Sequence, residues 1–185
     1  DVLEPRAASR THPQFGVQYD GDALLSHLEQ ESAPLIGTER SFGVVSIFPE
    51  GLYARNYNFL FGYAWKGGGC GVVSCAMFAA PRISRTTFEK RVMMQALSTA
   101  GFVIGIGRCT SAWCARAYPH SLEEHDRTED RLCNECVDNL AALYGRIAAP
   151  NAPPADREMP LLDFVPGKML LPPRCSRCIP IHAHI

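Results

Sequence analysis

The chain has 185 residues, 46% of them hydrophobic and 20% charged, the make-up of one globular domain with room for an appendage. A net charge of −1 argues against a nucleic-acid or anionic-membrane partner. No apolar run approaches the roughly 20 residues of a membrane span, and the opening at Asp1 is what a processed or partial chain would show.

Residues 1–18 carry Pro5 and Pro13 among scattered charges and show no hydrophobic period, so they read as an extended N-terminal arm. A helix follows, capped by Asp20 or Asp22, with Ala23, Leu24, Leu25 and Leu28 on its apolar face and His27 at the rim. Pro34 and Gly37 end it. Residues 41–48 (SFGVVSIF), 57–64 (YNFLFGYA) and 71–78 (GVVSCAMF) read as three strands of one sheet. Pro49, Glu50 and Gly51 form a turn after the first. The other two are candidates for a hairpin across Gly67, Gly68 and Gly69. Those glycines are not a phosphate loop, because no Gly-Lys-Ser/Thr and no helix follow. Cys70 and Cys75 lie five apart on a strand, hence on opposite faces, and are expected to be buried thiols rather than joint metal ligands.

After Pro81 a long helix is expected from a cap at Thr86 or Thr87. Met93, Leu97, Ala100 and Ile104 form the stripe turned to the sheet, widened by Val92, Ala96 and Val103. The helix breaks at Gly105 and Gly107. Cys109, Cys114, Cys133 and Cys136 then follow as C-x4-C, an eighteen-residue loop and C-x2-C. Two close pairs joined by such a loop fit a four-thiolate zinc site, each pair forming one knuckle and the loop letting them close from opposite sides. His120 and His125 in the loop could replace a cysteine. Cys133 opens a second helix, where free backbone N–H groups favour thiolate sulfur, with Val137, Leu140, Ala141 and Tyr144 on one face. A disulfide framework is the alternative use of eight cysteines, but close-spaced cysteines are awkward partners for each other.

The stretch from Met93 to Cys136 resembles the zinc-binding core of the archaemetzincins, whose pattern reads HExxHxxGxxx-C-x4-C-x-M, then a loop, then C-x2-C. Gly105 and all four cysteines match. Asn58-Phe59-Leu60-Phe61-Gly62-Tyr63-Ala64, Val72-Val73-Ser74 and Ser121-Leu122-Glu123-Glu124 with Asp126 resemble further parts of the family, so the likeness covers about residues 17–147. The catalytic half departs. Ser98 and Phe102 stand at the helical histidine positions, Thr99 at the general base, Arg108 at the third ligand and Arg116 at the Met-turn methionine. A catalytic zinc needs three protein ligands and an open position for water. Phe102 has no donor atom, Ser98 is a poor ligand, and Arg108 is a permanent cation. No histidine lies between His27 and His120, so this helix cannot make a histidine pair in any register. Phe102 and Arg108 are expected to fill the cleft that the metal would occupy.

From Pro150 prolines recur with Leu161, Leu162, Phe164, Met169, Leu170 and Leu171, the composition of an extended apolar arm that docks on a surface. The chain closes on Cys175, Cys178, His182 and His184, a candidate second metal site with short closing spacing, or else unmetallated thiols. The expected fold is α/β or α+β: a metzincin-like single domain over residues 19–148, with a mixed β-sheet packed on a long helix. It carries the four-cysteine zinc and lies between arms 1–18 and 149–185. The expected function is that of a catalytically inactive archaemetzincin-like protein. Its zinc would be structural, and it would act as an accessory subunit of a larger assembly, with other protein subunits as partners through both arms. By analogy the assembly is a mitochondrial complex; the compartment is reducing, mitochondrial matrix or cytosol. The alternatives are a zinc metallopeptidase whose ligands come from His182 and His184, and a peptide-binding module that keeps the groove without cutting.

Overall fold

The structure, a computed structural model, describes residues 8–34, 36, 43–80 and 82–148. Two three-stranded sheets and four helices are built from these residues. In the larger sheet β3 (Val44–Phe48) runs parallel to β6 (Cys70–Ser74), and β5 (Gly62–Ala64) pairs antiparallel with β6 on its other side. This is the expected mixed sheet, and β5 and β6 are the expected hairpin. The strands are shorter than the apolar runs that signal them. Tyr57 makes only an isolated bridge to Ala54, and the backbone turns after β6, where Phe78 N–H donates to the Cys75 carbonyl at 2.9 Å. Residues 41 and 42 lie outside the described residues.

β6 is buried along its whole length because helices cover both faces. On one face α1 (Gly21–Ser32) sets Leu24, Leu25 and Leu28 against Leu52, Leu60, Cys70 and Val72. Asp20 caps it, its carboxylate accepting from Ala23 N–H at 3.0 Å. On the other face α2 (Arg85–Val103) packs Phe88, Val92 and Val103 on Val45, Phe61, Val73, Cys75 and Phe78. Cys70 and Cys75 thus belong to opposite layers, as their spacing requires.

Three expectations need correction. Of the expected arm 1–18, the part from Ser9 onward is folded into a sheet: β1 (Ser9–His12) and β2 (Gly16–Asp20) form an antiparallel hairpin, and β2 runs parallel to β4 (Gly51–Tyr53). Polar pairing holds it, which is why no apolar period announces it. Gln18 is fully buried, accepts from Arg10 Nε at 3.0 Å and donates to the Asn58 carbonyl at 2.7 Å. The Arg10 guanidinium lies 4.0 Å from the centroid of the Tyr53 ring. Second, Ser84 rather than Thr86 or Thr87 caps α2, accepting from Thr87 N–H at 3.1 Å. Third, of the face expected to turn to the sheet, Val92, Ala96 and Val103 are buried and Ala100 and Ile104 pack at the edge of the core, but Met93 is 42% exposed, and Phe88 and Thr99 are buried in its place. Both stripes of this helix are apolar enough to serve, so periodicity does not choose between them; packing on β6 does.

Candidate metal centre and the neighbouring cleft

The α2 helix ends where Gly105 takes φ +97°, a left-handed turn that glycine makes without strain. Ile104 N–H donates to the Ala100 carbonyl at 3.0 Å and Ile106 N–H to that of Gly101 at 2.9 Å, closing the last turn. The chain then leads into Cys109. A turn at Ser111 brings round Cys114, and two backbone bonds, Ala115 N–H to Arg131 (2.9 Å) and Glu129 N–H to Trp113 (2.7 Å), pin the far end of the loop beside it. Cys133 therefore arrives next to Cys114, its own N–H donating to the Cys114 sulfur at 3.3 Å. α4 (Asn134–Ala148) starts immediately after, and Cys136 lies in its first turn.

The four sulfurs lie within 4.8 Å of one another, with those of Cys109 and Cys133 3.5 Å apart, and all four cysteines are buried. A tetrahedron of Zn–S bonds near 2.3 Å has sulfur–sulfur edges of about 3.8 Å, so the set fits zinc with little adjustment. Backbone N–H groups of Ser111 (3.4 Å, to Cys109), Arg116 (3.5 Å, to Cys114) and Cys133 (to Cys114) point at sulfur, as a thiolate needs. Burial and the neighbouring sulfurs push the Cys109 and Cys136 thiols up, whereas the Cys136 backbone amide draws Cys133 down. Four crowded thiols cannot all ionise by themselves; a divalent cation removes that conflict. Bound by Cys109, Cys114, Cys133 and Cys136, zinc would have no open position and would cross-link the end of α2 to the start of α4.

The loop histidines take no part. His120 is exposed, its ring 5.2 Å from Tyr118. His125, on the short helix α3 (Leu122–Asp126), is 2% exposed and packs on Phe78 at 4.9 Å and Phe61 at 5.6 Å. Burial holds it neutral, pulling its pKa down to about 4. Its neighbour Asp126 makes a two-pronged ion pair with Arg91 of α2 at 2.7 and 2.6 Å, which keeps that carboxyl below the ordinary range. Cys175, Cys178, His182 and His184 lie outside the described residues.

Beside this centre a depression of about 80 Å³ opens between α2 and β5, lined among others by Tyr63, Ser98, Thr99, Phe102, Arg108 and Arg116. Ser98 Oγ donates to the Ala117 carbonyl at 3.2 Å, and Thr99 Oγ1 accepts from Gln95 Nε2 at 3.2 Å. The Arg108 guanidinium stacks 3.7 Å from the Tyr118 ring centroid and 5.9 Å from that of Phe102. Phe102 and Arg108 narrow the cleft but do not fill it, since space remains at Ser98. A third residue does more. Arg116, 5% exposed, runs back beneath α2 and donates to the carbonyls of Gly107 (3.0 Å) and Ile106 (3.1 Å). Sequence reasoning named Arg116 only as a departure from the Met-turn. The signal for its placement is Gly101 in the last turn of α2, where a Cβ would come within 2.1 Å of Arg116 Nε.

The sequence profile of Peptidase family M54 matches residues 6–142. The archaemetzincin of Methanopyrus kandleri is 32% identical over 141 residues, covering 75% of this chain and 76% of that protein. That of Aeropyrum pernix is 22% identical over 145 residues, 78% of this chain and 76% of its own length. Among solved structures, archaemetzincin from Methanopyrus kandleri superposes with a TM-score of 0.59 at 30% identity, over 68% of this chain and 66% of the other. A zinc-dependent peptidase from Methanocorpusculum labreanum shares the fold at TM-score 0.61 and 20% identity, over 70% and 77% of the two chains. With three quarters of its length matched by the family profile, the chain belongs to peptidase family M54, the archaemetzincins.

Proposed function

We propose that this chain is a catalytically inactive archaemetzincin whose zinc is structural, and that it serves as an accessory subunit of a larger protein assembly. The observation that carries the first half is the makeup of the cleft. Where the family pattern has its three zinc ligands and general base, this chain has Ser98, Phe102, Arg108 and Thr99, already engaged in hydrogen bonds or ring contacts. Among the described residues the four cysteines are the single cluster of metal-binding type. Without a metal-bound water nothing in the cleft supplies a nucleophile near neutral pH.

The second half draws support from α4. Val137 is 41% exposed, and Leu140, Ala141, Leu143 and Tyr144 are half-buried, leaving an apolar stripe for a partner. Six free cysteines among the described residues suit a reducing setting, cytosol or mitochondrial matrix. No described helix is long and apolar enough to cross a membrane.

The test is an assay of zinc-loaded full-length protein on a peptide library, expected to give no cleavage above the blank. Zinc-dependent cleavage that disappears on His182→Ala with His184→Ala would overturn the reading in favour of displaced ligands. Native size in a gentle extract, with cross-links from both ends of the chain, tests the assembly. A second reading has its own observation. Among the described residues no strand pairs with the outer edge of β5, which borders the depression and could take an extended peptide as an added strand. Binding of short peptides by the uncomplexed protein would favour that reading.

A further inference from the structure

The cleft beside α2 has a cation in its wall and no acid. Arg108 and Arg116 are the charged residues of its lining, and no aspartate or glutamate joins them. Arg116 spends its terminal nitrogens on the carbonyls of Gly107 and Ile106. Arg108 is exposed and belongs to none of the ion pairs among the described residues, which are Arg85–Glu89, Arg91–Asp126, Arg127–Glu123 and Arg131–Glu129. The Tyr118 ring holds it, 3.7 Å from the guanidinium, with the Phe102 ring at 5.9 Å. A guanidinium stacked by its face keeps the N–H groups of its edge free, and that edge matches a carboxylate with two parallel bonds. Asp22, which reaches the opposite wall, is engaged by the Tyr63 hydroxyl at 2.9 Å.

The rest of the cleft is also rich in donors. Thr99, 5% exposed, accepts from Gln95 Nε2 and keeps its own O–H, and Gln95 keeps a second N–H. Gly62 lets both side chains approach the strand, since a Cβ there would lie 2.7 Å from Gln95 Nε2 and 2.8 Å from Thr99 Oγ1. The register sets Phe61 opposite Ser74, whose N–H donates to the Phe61 carbonyl at 2.9 Å. Alternation along an antiparallel ladder therefore turns the backbone groups of Gly62 and Ala64 to the outer edge of β5, where both residues line the cleft. The space of about 80 Å³ exceeds the roughly 10–15 Å³ that one water needs, so a carboxylate and its stem can enter. One free guanidinium balances one negative charge, which suits a carboxylate better than a phosphate of charge near −2. We propose that this cleft is a carboxylate-binding site in which Arg108, set by Tyr118, grips the acid through a two-pronged bond. The acid is carried by the end of a peptide lying along β5 or by a small free acid.

The experiment uses the full chain and a pool of N-acetylated pentapeptides made in two forms, free acid and C-terminal amide, with sodium acetate as the small acid. Retention of the free-acid pool is expected to exceed that of the amide pool about 10- to 100-fold, the range of a charged hydrogen-bonded contact. Arg108→Gln should abolish the preference, and Arg108→Lys should reduce it. Acetate that binds as tightly as the free-acid peptides assigns the site to small acids, and tighter peptide binding assigns it to chain ends; either outcome supports the proposal if Arg108→Gln removes it. Equal retention of the two pools, with no acetate binding, overturns the proposal while leaving the added-strand reading of β5 intact. Acetate binding that depends on Arg108, with neither pool retained, supports the proposal and removes that reading. A preference unchanged in Arg108→Gln overturns it. If that variant does not fold, Arg108→Lys decides: a reduced preference supports the guanidinium fork, and an equal one overturns it.

Discussion

The two metal stations of the archaemetzincin pattern share the end of α2 yet have opposite contents in this chain. At one, four cysteines from a loop and a helix start converge within 4.8 Å. At the other, the ligand positions hold Ser98, Phe102 and Arg108, and a depression of about 80 Å³ is left. The difference follows from what each metal does for the chain. A closed thiolate site would contribute folding free energy and hold the 109–136 loop in place. A catalytic ligand set contributes rate, and its members can be exchanged for residues that pack or hydrogen-bond locally without loss of the fold.

The largest expected effect separates the two stations directly. Cys133→Ser should release zinc from the centre and lower the melting temperature by more than about 10 °C; metal analysis and calorimetry check it. An unchanged melt would remove the structural role. A second effect belongs to the core between them. His125 is held at about 4 in the folded chain against 6.5 unfolded, so the unfolded state binds the extra proton and stability falls with acidification. The loss should accumulate from about pH 6.5 down to about pH 4 and reach about 3 kcal/mol. Asp126 opposes this shift, while Arg91 and Lys90 reinforce it. His125→Leu should flatten the difference in urea stability between pH 7 and pH 4.5, measured against the parent in excess zinc so that metal release cancels.

Smaller still is the effect of Gly101→Ala. In an ordinary helix interior this change stabilises by about 1 kcal/mol; here the contact with Arg116 should reverse the sign and cost about 2 kcal/mol. The cost should shrink in an Arg116→Met background, which a double-mutant cycle by chemical denaturation would read. Smallest of all, Ser98→Ala removes one hydrogen bond to the Ala117 carbonyl and should cost about 1 kcal/mol or less. It should leave peptide-library assays at the blank, before and after.

Much of the centre was legible in the residue order, since cysteine spacing, the Gly105 break and the helix start after Cys133 are local chemistry that needs no distant partner. The cap at Asp20 and the three strands of the main sheet belong to the same class. The hairpin over residues 9–20 was not legible, because Gln18, Arg10 and Asn58 hold it through polar contacts that leave no period. The expectations for the terminal arms and for the candidate second metal site at Cys175, Cys178, His182 and His184 fall on residues outside those described.

By itself, then, the amino-acid order determined the four-cysteine cluster, the element types and the absence of a histidine pair on α2, all properties of short windows governed by side-chain chemistry and helical or strand period. The tertiary structure alone decided which stripe of α2 faces β6, that His125 is buried against Phe61 and Phe78, and that Arg116 passes close by Gly101 to the carbonyls of Ile106 and Gly107. Each of these depends on which surfaces meet across long sequence separations, where burial and close approach, rather than local preference, set the energy.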